Sequence, residues 1–324
     1  MARRADLSRT LLKKPLRLQP GDVVTLIAPA GPPAPAKIDP AVEVIRRLGF
    51  VPRLGSAARE RRGYFAGSDE ARAADIMAAV RDPAVRGIFC LRGGYGSART
   101  LPRLDFKDIR REAKVLVGFS DITALQLAIL KSAGLVTFQG PMAVALAEAG
   151  TPEAARQALL RAVTVSEPVG AVSAIGVPHP IGLAPGRVTA SLVGGNLALI
   201  CSLLGTPWQP SFRGRILFFE DVGEAPYRVD RMLTTLKLAG ILEECAGVAV
   251  GICAECEEKD PPPGERRQTL AEVFEDVLGG LGIPVVTGLP FGHVPLNLTL
   301  PQGVRATLDG SAGTLVIEES GVRG

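Results

Sequence analysis

Ser120 stands where an apolar run, VLVGF (115–119), meets a helix-forming run, DITALQLAILKSAG (121–134). A serine at such a junction is exposed on a sharp turn at the carboxyl end of a strand, the setting of a nucleophile elbow. The start of the following helix aims backbone N–H groups at the same point and favours developing negative charge there. The spelling departs from G-x-S-x-G: Gly118 is present, and Ile122 holds the second glycine position. The plainer role for Ser120 is a helix N-cap.

A serine nucleophile needs a base, and the chain has only two histidines, His179 and His293. His179 lies in GVPHP, inside a Pro-rich stretch, where a surface role is the expectation. His293 lies in GLPFGHVPLN, just after the apolar VVTG run. Loops that follow strand ends are where a scaffold holds reactive groups. An acid must orient the imidazole. Glu220 ends the apolar strand RILFFE, with Asp221 and Glu224 as rivals. The order Ser, Glu, His is that of α/β-hydrolases, although such orders vary among unrelated folds. A glycine-rich turn, LRGGYGSA (91–98), follows the apolar run GIFCL. Its glycines allow close backbone approach to a ligand or a tight turn. Gly93, Gly94 and Gly96 are misplaced for the G-x-G-x-x-G dinucleotide fingerprint. Cys253 and Cys256 form C-A-E-C with Cys245 upstream, but no second pair or suitably spaced histidine completes a zinc set.

These groups need a scaffold, and the pattern supplies one. Apolar runs at 22–28, 87–91 and 115–119 alternate with helical patterns in AVEVIRRLGF, ARAADIMAAVR and DITALQLAILKSAG. Such alternation predicts a mostly parallel sheet with helices on both faces. Residues 151–187 open with a short helical piece, then turn rich in Pro and Gly, and read as a connection. Beyond it, ASLVGGNLALICSLLG reads as a Gly-rich turn into a helix. RILFFE, GVAVGI, VVTG, VRATLD and TLVIEE read as strands, APYRVDRMLTTLKLAG and TLAEVFEDVL as helices, and EKDPPPGERR as a polar loop. The fold class is therefore α/β with two domains. The expected organisation is a basic arm (1–18), a Rossmann-like N-terminal domain carrying the elbow (19–150), a linker (151–187) and a smaller C-terminal α/β domain (188–324).

The 324 residues suit two domains at about 150 residues each. With 47% hydrophobic and 22% charged residues, the chain is neither disordered, collagen-like nor a coiled coil. A net charge of +4 gives no case for nucleic acid without a basic patch, and the arm's Arg3, Arg4, Arg9, Lys13, Lys14 and Arg17 read as solvated. No window reaches the roughly 18 apolar residues of a membrane span, and the N-terminus lacks a signal peptide's apolar region. The five cysteines follow no disulfide framework, so a cytoplasmic protein is expected.

Taken in order, RGGYGS (92–97), GFSDITAL (118–125), GGNL (194–197), GTPW (205–208), FFEDVGEAPYRVDRML (218–233) and PFGHVPLNLTLPQGVRATLD (290–309) resemble the serine LD-carboxypeptidases. That family includes murein tetrapeptide carboxypeptidases and microcin C immunity peptidases. The similarity runs from about residue 20 to 318. The opening GDVVTLIAPAGP fits as well.

The resemblance implies Ser120 as nucleophile, Glu220 as orienting acid and His293 as base, with the N–H groups of Gly94 and Asp121 as oxyanion hole. It implies a cleft between the two domains, no cofactor or metal, and a homodimer. The implied reaction releases terminal D-Ala from a cytoplasmic murein tetrapeptide. Arg92, beside the glycine turn, is a candidate for the substrate's free carboxylate. Trp208 belongs to a shared motif and reads as packing. Gln139 stands where the family often has His, and Ala30 where Ser is common; both bear on specificity rather than chemistry. Two alternatives stand beside this reading: an immunity-type peptidase that cleaves an aminoacyl-nucleotide amide, and a non-catalytic peptide-binding protein.

Overall fold

The computed structural model describes residues 12–173, 179–258 and 267–324. In chain order the first half contains β1 (Val23–Ile27), α1 (Pro35–Arg47), β2 (Val51–Leu54), α2 (Asp69–Arg81), β3 (Val85–Cys90), α3 (Phe106–Glu112), β4 (Val115–Gly118), α4 (Thr123–Ala133), β5 (Phe138–Gln139), α5 (Ala143–Leu146) and α6 (Glu153–Thr164). The second half contains β6 (Gly170–Ala171), β7 (Ile181–Ala184), β8 (Arg187–Asn196), α7 (Leu197–Ser202), β9 (Ile216–Glu220), α8 (Pro226–Leu238), α9 (Ile241–Glu244), β10 (Gly247–Ile252), α10 (Leu270–Leu278), β11 (Val285–Gly292), β12 (Leu300–Pro301), β13 (Arg305–Asp309) and β14 (Thr314–Ile317).

The first sheet has the order β12-β5-β4-β3-β1-β2. Its strands β1 to β5 pair in parallel, as the alternation of strands and helices predicts. β3 and β4 are short apolar runs buried on both faces because helices cover the sheet. α2 begins at Ser68, whose side chain accepts the Ala71 N–H, and α4 stops at Gly134 in the left-handed region. The second sheet has the order β6-β14-β13-β8-β9-β10-β11-β7. Its middle, β8 to β11, is parallel, and its flanks are antiparallel.

Four departures from the sequence reading concern the site or its support. First, Gly194 and Gly195 belong to β8 rather than to a turn. They pair in register with Phe218 and Phe219 of β9, and sheet pairing overrides their turn preference. Second, the stretch 151–187 carries α6 and supplies both edges of the second sheet, β6 and β7. Third, the arm is docked from residue 12 onward. The Lys13 N–H donates to Gly134 O, Arg17 N–H donates to Arg323 O, and Leu18 is buried. Residues 1–11 and most of the polar loop EKDPPPGERR (259–266) lie outside the described residues. Fourth, β12 crosses to the first sheet, where Leu300 and Pro301 pair antiparallel with Gln139 and Phe138. Among the described residues no helix is long and apolar enough to cross a membrane.

Candidate active site

β4 ends at Gly118, and the chain turns sharply before α4. Ser120 opens a short 3₁₀ turn (Ser120–Ile122) with φ of +63°. A serine in this left-handed region is strained, and such strain persists only where the surroundings impose it. The hydroxyl does not cap the helix. Its Oγ lies 2.9 Å from His293 Nε2.

The other two groups come from the second sheet. Glu220 is the last residue of β9 and fully buried, and His293 directly follows β11. Glu220 Oε2 is 2.6 Å from His293 Nδ1. This approach requires Gly292, at φ +123°: a Cβ there would come within 2.7 Å of Ile252 O and 3.0 Å of the Glu220 carboxylate. Asn297 Oδ1 accepts the Gly292 N–H at 3.1 Å and fixes the turn that carries the imidazole. The Phe119 ring packs against the imidazole with centroids 4.9 Å apart. Burial pulls the His293 pKa down, but the hydrogen bond and charge of Glu220 outweigh it and hold the imidazole above its ordinary range.

The rivals sit elsewhere. Asp221 accepts from Asn196 Nδ2, Ala198 N and Val222 N, each at 2.9 Å, and so anchors the start of α7. Burial raises its pKa. Glu224 accepts from Arg228, and His179 is exposed.

The glycine turn after β3 packs directly on the elbow. A Cβ on Gly93 would stand 2.9 Å from Ser120 Cβ and 3.4 Å from the Asp121 amide nitrogen, so only glycine lets this backbone come so close. The Asp121 carboxylate holds the two loops together. It accepts from Gly96 N at 3.1 Å and Ser97 N at 2.8 Å, while Ser97 Oγ donates to Asp121 O at 2.5 Å. Burial raises the Asp121 pKa against these donors. Beneath the turn, the buried Arg72 donates to Pro29 O at 2.6 Å and Gly96 O at 2.8 Å and pairs with Asp69. The sequence reading missed Arg72, Ser97, Asn196 and Asn297. For Asn196, its place between a strand and an apolar helix is an N-cap signal, and its Oδ1 does accept the Leu199 N–H.

Arg92 lines an open cavity of about 640 Å³ together with Gly94, Tyr95, Tyr64 and Arg61. A smaller cavity of about 300 Å³ is lined by Phe119, Pro141, His293 and Asn297. Gln139 is fully buried with neither side-chain amide atom partnered among the described residues, and Ala30 is buried. Trp208 packs against the larger core cluster. Cys256 Sγ donates to Ala254 O at 3.4 Å, and no group of three or more His, Cys, Asp or Glu among the described residues could hold a metal ion.

A parallel-sheet elbow faced by an acid and a base from a second α/β sheet is the architecture of a two-domain hydrolytic enzyme. The chain belongs to the LD-carboxypeptidase family: the family's N-terminal domain matches residues 24–140 and its C-terminal domain residues 189–308. It is a peptidase of that family. The chain is 38% identical to a Bacillus subtilis protein named "probable murein peptide carboxypeptidase", over 94% of each chain. Muramoyltetrapeptide carboxypeptidase from Oxalobacter formigenes superposes with a TM-score of 0.80 at 33% identity, covering 92% of this chain and all of that one. The microcin C7 self-immunity protein superposes with a TM-score of 0.84 at 26% identity, covering 96% of this chain and all of that one.

Proposed function

We propose that this chain is a serine LD-carboxypeptidase that releases the terminal D-Ala from a murein tetrapeptide in the cytoplasm, in cell-wall recycling, and works as a homodimer. The observation that carries this reading is the hydrogen-bonded line Glu220–His293–Ser120, with links of 2.6 and 2.9 Å. His293 Nε2 takes the Ser120 proton as Oγ attacks the carbonyl before the terminal residue. Glu220 keeps the imidazole in the tautomer with Nε2 free and stabilises the imidazolium that forms. The N–H groups of Gly94 and Asp121 receive the oxyanion. His293 then protonates the departing amine, and water cleaves the acyl-enzyme with His293 again as base. A raised imidazole pKa suits both proton transfers near neutral pH. Arg92 binds a carboxylate of the substrate. No cofactor or metal takes part.

A second reading is an immunity-type peptidase acting on an aminoacyl-nucleotide amide. It is favoured by Tyr64 and Tyr95, 66% and 53% exposed at the larger cavity, because exposed rings stack nucleobases. Mass spectrometry of wild type and Ser120→Ala with a murein tetrapeptide, a D,D-pentapeptide and an aminoacyl-nucleotide amide separates the two. Release of D-Ala from the tetrapeptide alone, lost in the variant, is the expected result. Cleavage of the nucleotide amide alone assigns the second reading. A folded protein that cleaves none of them overturns both substrate assignments and leaves the family fold with another substrate or without catalytic competence.

A further inference from the structure

β10 ends between the acid and the base. It lies between β9, which carries Glu220, and β11, which leads to His293, and its last residue, Ile252, pairs with Gly292. The next four residues are Cys253, Ala254, Glu255 and Cys256, a motif that the mechanism does not use. Their turn is stitched to the loop behind Glu220. The Ala254 N–H donates to Asp221 O at 3.0 Å, and the Gly223 N–H donates to Ala254 O at 2.9 Å. Val222 and Ala254 thus form a parallel bridge. On the other flank, Ile252 O is the atom that a Cβ on Gly292 would meet at 2.7 Å. Glu220 depends on these neighbours for its aim. Its Oε2 meets His293, while Oε1 is buried with no hydrogen-bond partner among the described residues.

The turn folds its two cysteines toward one another. Glu255 lies in the left-handed region at φ +55° and reverses the chain, and the Cys256 thiol turns back to donate to Ala254 O at 3.4 Å. A disulfide needs Cα atoms about 4.4–6.8 Å apart, the span between the two ends of a four-residue turn. The two thiols also set each other's acidity. Cys256 is pushed down, first by Cys253, and Cys253 is pushed well up, first by Cys256 and then by burial. A thiol that ionises more easily beside a second thiol is the reactive form of a C-x-x-C pair. The other three cysteines lack this. Burial raises Cys90, and it pushes Cys201 and Cys245 up to about 12, so all three stay protonated and unreactive.

We propose that Cys253 and Cys256 are a modification site, a dithiol that a hydroperoxide closes to a disulfide, and that closure slows the Glu220–His293–Ser120 line by shifting the turn that supports it. The slowing rests on the peptidase reading above. The Cys256 thiolate attacks one peroxide oxygen. An S–O bond forms, the O–O bond breaks, and the departing oxygen takes up the Cys256 proton. The Cys253 sulfur then attacks the sulfenic sulfur of Cys256. The S–S bond forms, the S–O bond breaks, and the hydroxyl leaves as water with the Cys253 proton. The two sulfurs give up two electrons, and the peroxide accepts both. The turn lies at the surface, with Cys253 partly exposed and Glu255 and Glu257 exposed, where a small oxidant reaches it. Drawing the sulfurs together pulls on Ala254 between them, and with it on the backbone of Asp221 to Gly223.

The test treats the full chain with hydrogen peroxide, alkylates the remaining thiols and weighs the peptide that spans residues 253–256. D-Ala release from the tetrapeptide is measured on the same samples. The expected result is a peptide that has lost two hydrogens and gained no oxygen, with kcat lowered roughly ten-fold and KM little changed, the scale of a small misplacement. Dithiothreitol should restore both. Cys253→Ser and Cys256→Ser should keep the untreated activity and lose the response. Both thiols still open to alkylation, oxygen added without a link, or a disulfide that leaves kcat unchanged overturns the proposal. So does an equal fall in kcat in Cys253→Ser. The peptide mapping uses the wild-type chain, so it decides the matter even where a variant does not fold. A disulfide in a protein that releases no D-Ala before treatment upholds the modification site and defeats the peptidase reading instead.

Discussion

The two sheets contribute unlike things to one site. The first gives a strained serine and backbone N–H groups, held by a buried polar brace: Asp121 accepts from Gly96 and Ser97, and Arg72 grips the same turn from below. The second gives two side chains in relaxed positions at the ends of β9 and β11, one strand apart across β10. Its supports are amide side chains, Asn196 on Asp221 and Asn297 on Gly292. Backbone donors cannot be moved by choosing a different rotamer, so their placement demands the heavier bracing. Side chains at strand ends take their aim from the sheet itself.

Substitutions can break this division, beginning with the groups proposed to react. Ser120→Ala and His293→Ala, one from each sheet, should each lower kcat by about 10⁴ or more, because members of such a unit fail together. D-Ala release from the tetrapeptide measures it, and a folded variant keeping a tenth of wild-type turnover would refute the pairing across the cleft. Glu220→Gln should cost less, roughly 10³-fold. It should also displace the acidic limb of the kcat/KM profile. In wild type the carboxylate holds His293 above its ordinary pKa, so the base is lost as pH falls through that raised value. Without the charge, burial prevails and the limb moves to lower pH. A limb that stays in place removes Glu220 from its role.

Smaller losses sharpen the contrast between the supports. Asp121→Asn keeps the shape but weakens the brace under the proposed oxyanion donors; kcat should fall roughly 10²-fold, the scale of a misplaced donor, with KM little changed. An equal rise in KM would mean that Asp121 serves binding instead. Asn297→Ala should cost only a few-fold in kcat, consistent with one net hydrogen bond. If it costs more than Asp121→Asn, the asymmetry between the two sheets is wrong.

Much of this was legible in the residues. Apolar runs of four to six residues between helical periods located β1, β3, β4, β9 and β10, and Gly118 with Ser120 marked the elbow. Glu220 stood out because a carboxylate at the end of ILFFE has no reason to be there unless something meets it. The brace was not legible. Arg72 lies in a helix, DEARAADIMAAVR, where an arginine looks like an ordinary surface residue, and only the packing of the glycine turn above it explains its burial. β8 was obscured because paired glycines favour turns until neighbouring strands capture them. β5 and β12 are two residues each, too short for any period to show.

That last pair bears on how the protein is made. β5 is the edge of the first sheet until β12 arrives, and β12 lies beyond His293 in the chain. Synthesis proceeds from the N-terminus, and domains generally fold as they emerge. A nascent chain therefore displays Ser120 on a sheet whose β5 edge is still unpaired, an invitation to mispairing with other chains, before its His293 exists. The two residues that close the edge reach the ribosome exit after the imidazole does. Chain truncation anywhere before Leu300 should accordingly yield protein that aggregates rather than protein that is merely slow, and truncation before His293 also removes the imidazole that meets Ser120.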